Sequence, residues 1–105
     1  MILPIKKKWF DMIAAGIKKE EYRELNKYYA DRIFKIFKNE NDVAEIKIRN
    51  GYSQRSRTLT CLCSAKIGTG KEEWGAEKDK QYFVLTIHKI IKKMCTYVCI
   101  WCICV

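Results

Sequence analysis

Lys18, Glu21 and Arg23 follow Gly16 within a single octapeptide, Gly16-Ile17-Lys18-Lys19-Glu20-Glu21-Tyr22-Arg23. These three side chains together can do chemistry. An arginine fork grips a phosphate or carboxylate at two points. A lysine partly desolvated beside a second cation loses basicity and can accept a proton. A glutamate between them can carry protons or accept the amino edge of a base. Lys18 and Glu21 are therefore the candidate catalytic pair, and Lys18 and Arg23 candidate anion ligands. The competing reading is an ion-pair network that only fixes the turn.

A second group, Arg49, Tyr52, Arg55 and Arg57, mixes cations with an aromatic ring, the combination that holds a single-stranded backbone while a base stacks. A solvated loop has nearly the same composition. Trp74, in a glycine-bounded loop, suits either a base platform or a plug at one end of the core. Gly68-Thr69-Gly70-Lys71 is not a phosphate loop, because Glu72 replaces the required hydroxyl residue and Ala65 stands where the first glycine belongs. His88, mid-strand and the sole histidine, reads as structural. Cys61 and Cys63 share one strand face and read as core. Cys99-x-x-Cys102 has the spacing of a metal or redox pair, but no second pair follows and its surroundings are apolar. No metal and no cofactor is expected. The ending Cys102-Ile103-Cys104-Val105 has the bare outline of a prenylation box.

The elements that must position these residues can be read in order. Pro4, Ile5, Trp9, Met12 and Ile13 predict a helix over 4–15 with Pro4 in its first turn and Gly16 as its left-handed cap. Residues 18–25 predict a short strand. Strict alternation sets Lys19, Glu21 and Arg23 on one face, so Lys18 joins them only from within the turn or through a bulge. Asn26 caps a second helix with Tyr29, Ile33, Ile36 and Phe37 inward and Lys27, Arg32, Lys35 and Lys38 on a basic outer face. Ala44–Arg49 alternates as a half-buried strand, Asn50-Gly51 marks a turn, and Thr58–Ile67 is a long strand with Leu59, Cys61, Cys63, Ala65 and Ile67 on its core face. After the loop 68–77, residues 81–91 form another strand. Residues 94–105 carry no charge and suit either a fully buried strand or an exposed apolar tail.

At 105 residues the chain is one domain, and 49% apolar residues suffice for one core. A net charge of +9 favours a polyanionic partner, nucleic acid or an anionic membrane surface. No signal peptide and no run of ~20 apolar residues is visible, so the expected location is cytoplasmic, with reduced cysteines and no stable membrane insertion. Helices followed by long-range strands predict an α+β fold, a small curved sheet or barrel with helices against it.

With Gly16, Lys18, Glu21 and Arg23 in place, the octapeptide resembles the Gly-x-Lys-x-x-Glu-x-Arg hallmark of the ASCH domain, a family related to the PUA domains. Ile2-Leu3-Pro4-Ile5-Lys6, Arg49-Asn50-Gly51-Tyr52, Gly68-Thr69-Gly70 and Glu73-Trp74-Gly75-Ala76 resemble phrases of a microbial and phage subgroup, in the same order. The likeness covers about residues 1–91 and leaves 92–105 as an apolar, cysteine-rich tail. It implies a PUA-like β-barrel with two or more flanking helices and a basic cleft that binds RNA or a nucleotide. An alternative it also implies is a small hydrolase, either an amidohydrolase on N4-acetylated cytidine or a ribonuclease. In the amidohydrolase pattern a lysine, a threonine and a glutamate act. Lys18 matches the first, Glu21 occupies the threonine position, and Glu72, Glu73 and Glu77 are the choices for the third. A further alternative from another class is an interaction module that docks a protein or membrane through the tail.

Overall fold

Pro4 stands in a strand. In the computed structural model, which describes residues 1–53 and 55–94, the chain opens with β1 (Ile2–Ile5) before α1 (Lys7–Ala14) begins. The expected helix over 4–15 is thus shortened from its front. A proline lacks the N–H a central strand needs, but β1 is an edge strand, paired in parallel with β3 (Ala44–Asn50), and an edge tolerates it. The start at Lys7 also turns the helix, so that Phe10 and Ile13 are buried while Trp9 and Met12 lie half-buried.

Gly16 ends α1 as its position suggests. Its φ of 77° is the left-handed conformation. Gly16 N–H donates to the Ile13 carbonyl (3.0 Å) and Ile17 N–H to that of Met12 (2.9 Å), the paired bonds of a Schellman cap. This reversal delivers the chain into β2 (Glu20–Arg23). Asn26 then caps α2 (Lys27–Ile36), accepting from Tyr29 N–H at 2.9 Å.

β4 (Thr58–Thr69) and β5 (Gln81–Met94) complete a five-stranded mixed sheet in the order β1-β3-β4-β5-β2. β5 runs past residue 91, so Lys92 belongs to the ladder, opposite Thr60. Of the expected tail, 92–105, residues 95–105 lie outside the described residues, Cys99, Cys102 and Cys104 among them. No helix among the described residues is long and apolar enough to cross a membrane.

One face of the sheet carries the main core: Ile46 and Ile48 of β3, Leu59, Cys61 and Cys63 of β4, and Leu85 of β5, under Phe10, Ile13 and Ile33 of the helices. Ile67 was expected in this row and is 52% exposed. Past Ala65 the cover runs out: Phe34 meets Phe83 edge-on (centroids 5.7 Å apart), and Ile67 is left on the rim of a small groove below the end of α2. On the opposite face a second cluster, Tyr22, Ala76, Tyr82 and Val84, lies under the loop that carries a short 3-10 turn, Glu72–Trp74. Gly70 permits this cover, since a Cβ there would meet the Tyr22 ring at 2.6 Å.

Burial pushes the Cys61 thiol up to about 11 and that of Cys63 to about 12, from 9.0. The native state therefore keeps two protons that the unfolded chain releases above pH 9, so these groups withdraw stability as pH rises through that range. Lys18, lowered by burial, acts in the opposite sense. The test is the difference between proteins: urea midpoints of the wild type should fall more steeply than those of a Cys61→Ala/Cys63→Ala variant between about pH 9 and pH 11. Parallel curves would contradict the assignment.

Candidate functional site

Lys18 lies in the turn before β2, which is how it joins residues of alternate register. Its ammonium donates to Glu21 Oε1 at 3.0 Å and to the Glu20 carbonyl. Glu21 Oε1 also accepts from Tyr22 N–H at 3.3 Å, and its Oε2 faces the Arg23 guanidinium at 3.3 Å. The three side chains are 0%, 7% and 14% exposed, so the charges form one desolvated cluster of net +1. The Tyr22 ring, 5.1 Å from the ammonium, and the Trp9 ring, 5.7 Å away, flank it. Burial lowers the pKa of Lys18; the charge and hydrogen bond of Glu21 oppose this, and Arg23 adds to it. Burial also raises that of Tyr22, whose hydroxyl donates to Glu20 Oε1 (2.8 Å) and accepts from Lys71 N–H (2.9 Å).

Arg23 does more than neutralise Glu21. Its guanidinium donates to the Tyr22 carbonyl (2.8 Å) and to that of Pro4 (3.1 Å). Pro4 is on β1 and Arg23 on β2, the two edges of the sheet. The sheet is therefore curled until one side chain bridges its edges. Beside this bridge opens a cleft of about 1120 Å³.

Glu21 and Arg23 line the cleft; Lys18 does not, being enclosed behind its wall. Seven aromatic residues, Trp9, Tyr22, Tyr28, Tyr29, Tyr52, Trp74 and Tyr82, share the lining with aliphatic residues of β1. Lys6, Arg32 and Lys35 add positive charge, and Glu24 and Glu77 negative. Arg32 lies flat over Tyr28, 3.5 Å from its centroid, and donates to its carbonyl at 3.0 Å. Of the three later glutamates, Glu77 reaches the cleft; Glu72 and Glu73 are exposed on the 3-10 turn and do not line it.

The basic-aromatic group of the middle loop does not act as one unit. Gly51, with φ 85°, donates to the Ile5 carbonyl at 2.8 Å and turns Tyr52 to the cleft, where it is 86% exposed. Arg49, Arg55 and Arg57 are not on the lining. Arg49 is half-buried on β3, its Nε without a hydrogen-bond partner among the described residues; Arg55 is exposed; Arg57 lies 5.2 Å from the Phe10 ring.

Sequence reasoning missed Tyr28, Arg32, Lys35 and Tyr82; Trp9, read as core, does pack against the main core and also lines the cleft. Arg32 and Lys35 do lie on the exposed side of α2, but that side borders the cleft. The available signal was the i,i+4 spacing of Tyr28 and Arg32, which stacks a guanidinium on a ring.

Comparison of the chain with protein-family models, with curated proteins and with solved structures gives no match.

Proposed function

We propose that this chain is an ASCH-type, PUA-like domain that binds single-stranded RNA or a nucleotide in the cleft beside Arg23. The observation that carries this reading is the lining itself: seven aromatic rings and the guanidinium groups of Arg23 and Arg32 around one cavity of about 1120 Å³. Pockets for small ligands commonly run to ~300–1,000 Å³, so this one suits a nucleotide with room for a neighbour. Rings offer faces to any base; guanidinium groups offer forked donors to phosphate. Net charge of +9 supplies long-range attraction.

Hydrolysis has less support. An ammonium fully enclosed and already bonded to Glu21 and to the Glu20 carbonyl is arranged to hold the turn and orient Glu21, not to meet a substrate. The octapeptide thus builds a wall whose outer surface, Glu21 and Arg23, faces the ligand.

Fluorescence anisotropy with a labelled 10-nucleotide RNA tests the proposal. Binding should weaken as salt rises, by about 0.7 in log K per log unit of salt for each phosphate contact. Tyr52→Ala should cost about 1–3 kcal/mol if a base stacks on the ring, without loss of fold, since the ring is largely exposed. Absence of binding at low salt would overturn the reading.

A further inference from the structure

The sheet face opposite the helices carries cations that the cleft does not use, and two β-bulges put them there. Leu85 and Ile87 of β5 face the main core. Strict alternation would send Lys89 inward after them. Instead the β4–β5 ladder shifts register between Leu62 and Cys63, leaving His88 as an extra residue, and Lys89 pairs with Leu62 on the outer face. Ile90 returns toward the core opposite Cys61. A second shift, between Thr60 and Cys61, leaves Ile91 extra and brings Lys92 outward opposite Thr60. A bulge gives up regular pairing and re-aims side chains; both of these bulges keep a lysine out of the core.

β3 adds Lys47 to the same row, since it also pairs with Thr60. Lys47 and Lys92 thus flank Thr60, roughly 10 Å apart by two strand spacings. Lys66 lies further along β4. All four lysines are exposed, and none forms an ion pair among the described residues. Glu45, opposite Leu62, is their acidic neighbour, and Glu20 on the β2 edge already accepts from Tyr22. Ser64 and His88, bonded at 2.8 Å, lie among them.

We propose that this outer face is a second nucleic-acid surface, one that holds the phosphodiester backbone of a single strand. An open sheet face cannot enclose a small anion, so several spaced cations act together only on an extended polyanion, and a row of lysines along paired strands matches the spaced phosphates of a single strand. Hydroxyls between them, as at Thr60 and Ser64, suit phosphate oxygens. The identity of the polymer rests on the RNA reading of the cleft; the placement of the site does not.

The experiment compares two charge-matched variants. Lys47→Gln/Lys89→Gln/Lys92→Gln neutralises the face. Lys7→Gln/Lys27→Gln/Lys38→Gln removes three exposed charges on or beside the helices, on the other side of the sheet and off the cleft lining. Each is titrated with a 20-nucleotide oligouridylate over a range of salt, with uridine monophosphate, and with vesicles containing phosphatidylserine. The face variant should have a salt slope shallower by about 2, three contacts at ~0.7 each. The control should change little, and neither variant should alter uridine monophosphate binding. Equal slopes in the two variants would overturn the proposal, leaving only a diffuse field. So would wild-type binding to vesicles but not to the oligonucleotide. If the slope changes as expected while uridine monophosphate does not bind the wild type, the cleft reading falls and this one stands.

Discussion

A Lys18→Met variant is expected to lose about 2–3 kcal/mol of unfolding free energy, less than the ~3–5 kcal/mol of fully orphaning a buried charge, because Arg23 still faces Glu21 Oε2 at 3.3 Å. Glu21 is 5% exposed, and without Lys18 its Oε1 keeps only the Tyr22 N–H at 3.3 Å. The Glu20 carbonyl also loses its donor. Methionine fills much of the volume, so the loss is electrostatic rather than a cavity. The second variant, Lys18→Met/Glu21→Leu, makes the argument testable. It removes Lys18 and its carboxylate partner together, leaves Arg23 on the Tyr22 and Pro4 carbonyls, and should recover about half of the loss, because a buried pair replaced by apolar residues is often neutral. Urea unfolding followed by circular dichroism measures both. A single-variant loss below about 1 kcal/mol would mean that the pair is solvated after all.

Arg23→Ala has the second large effect, and it falls on two readouts. The guanidinium bridges the edges of the sheet through the Pro4 carbonyl and fixes the Tyr22 carbonyl. Hydrogen bonds from a charged group contribute ~1.5–3 kcal/mol, so stability should drop by about 2–3 kcal/mol. RNA affinity should fall by at least about tenfold, since one charge-assisted contact accounts for ~1.4 kcal/mol or more. Arg23→Lys separates charge from geometry: a lysine restores the positive charge but not the fork. It should recover less than half of either loss. Full recovery by lysine would show that net charge, not the bridge, is what matters.

Much of the architecture could be read locally. Ala44–Arg49 and the first part of Thr58–Ile67 alternate strictly because one face of each strand is buried, and the structure pairs those inward residues, Ile46 opposite Cys61 and Ile48 opposite Leu59. Gly16 and Asn26 mark helix ends through short-range hydrogen bonding, and both are found there. β1 was not legible. Its proline fits a helix start as well as an edge strand, and its partner, β3, lies some forty residues away in the chain. The site was half legible for the same reason. Clustering of Lys18, Glu21 and Arg23 is local, set by a turn and a four-residue strand. The cleft is not: it exists because β1 and β2 meet across the sheet and α2 borders the gap. Tyr28, Arg32 and Lys35 therefore read as an ordinary solvated helix face until that closure is seen. The bulges of β5 were hidden in the same way, since Lys89 and Lys92 reveal their outward aim only against the register of β4.

Nucleotide binding at the wall formed by Glu21 and Arg23 is the proposal on which the RNA reading rests. Amide and indole shifts in a ¹H–¹⁵N spectrum, recorded during titration with uridine monophosphate, test it most directly. The expected result is saturable shifts at Tyr22, Arg23, Gly51, Tyr52 and Gly75 and at the Trp74 indole, all on the cleft, with Arg23→Ala abolishing them at the same ligand concentration. Shifts confined to Lys47, Lys89 and Lys92, or none at millimolar ligand, would contradict it.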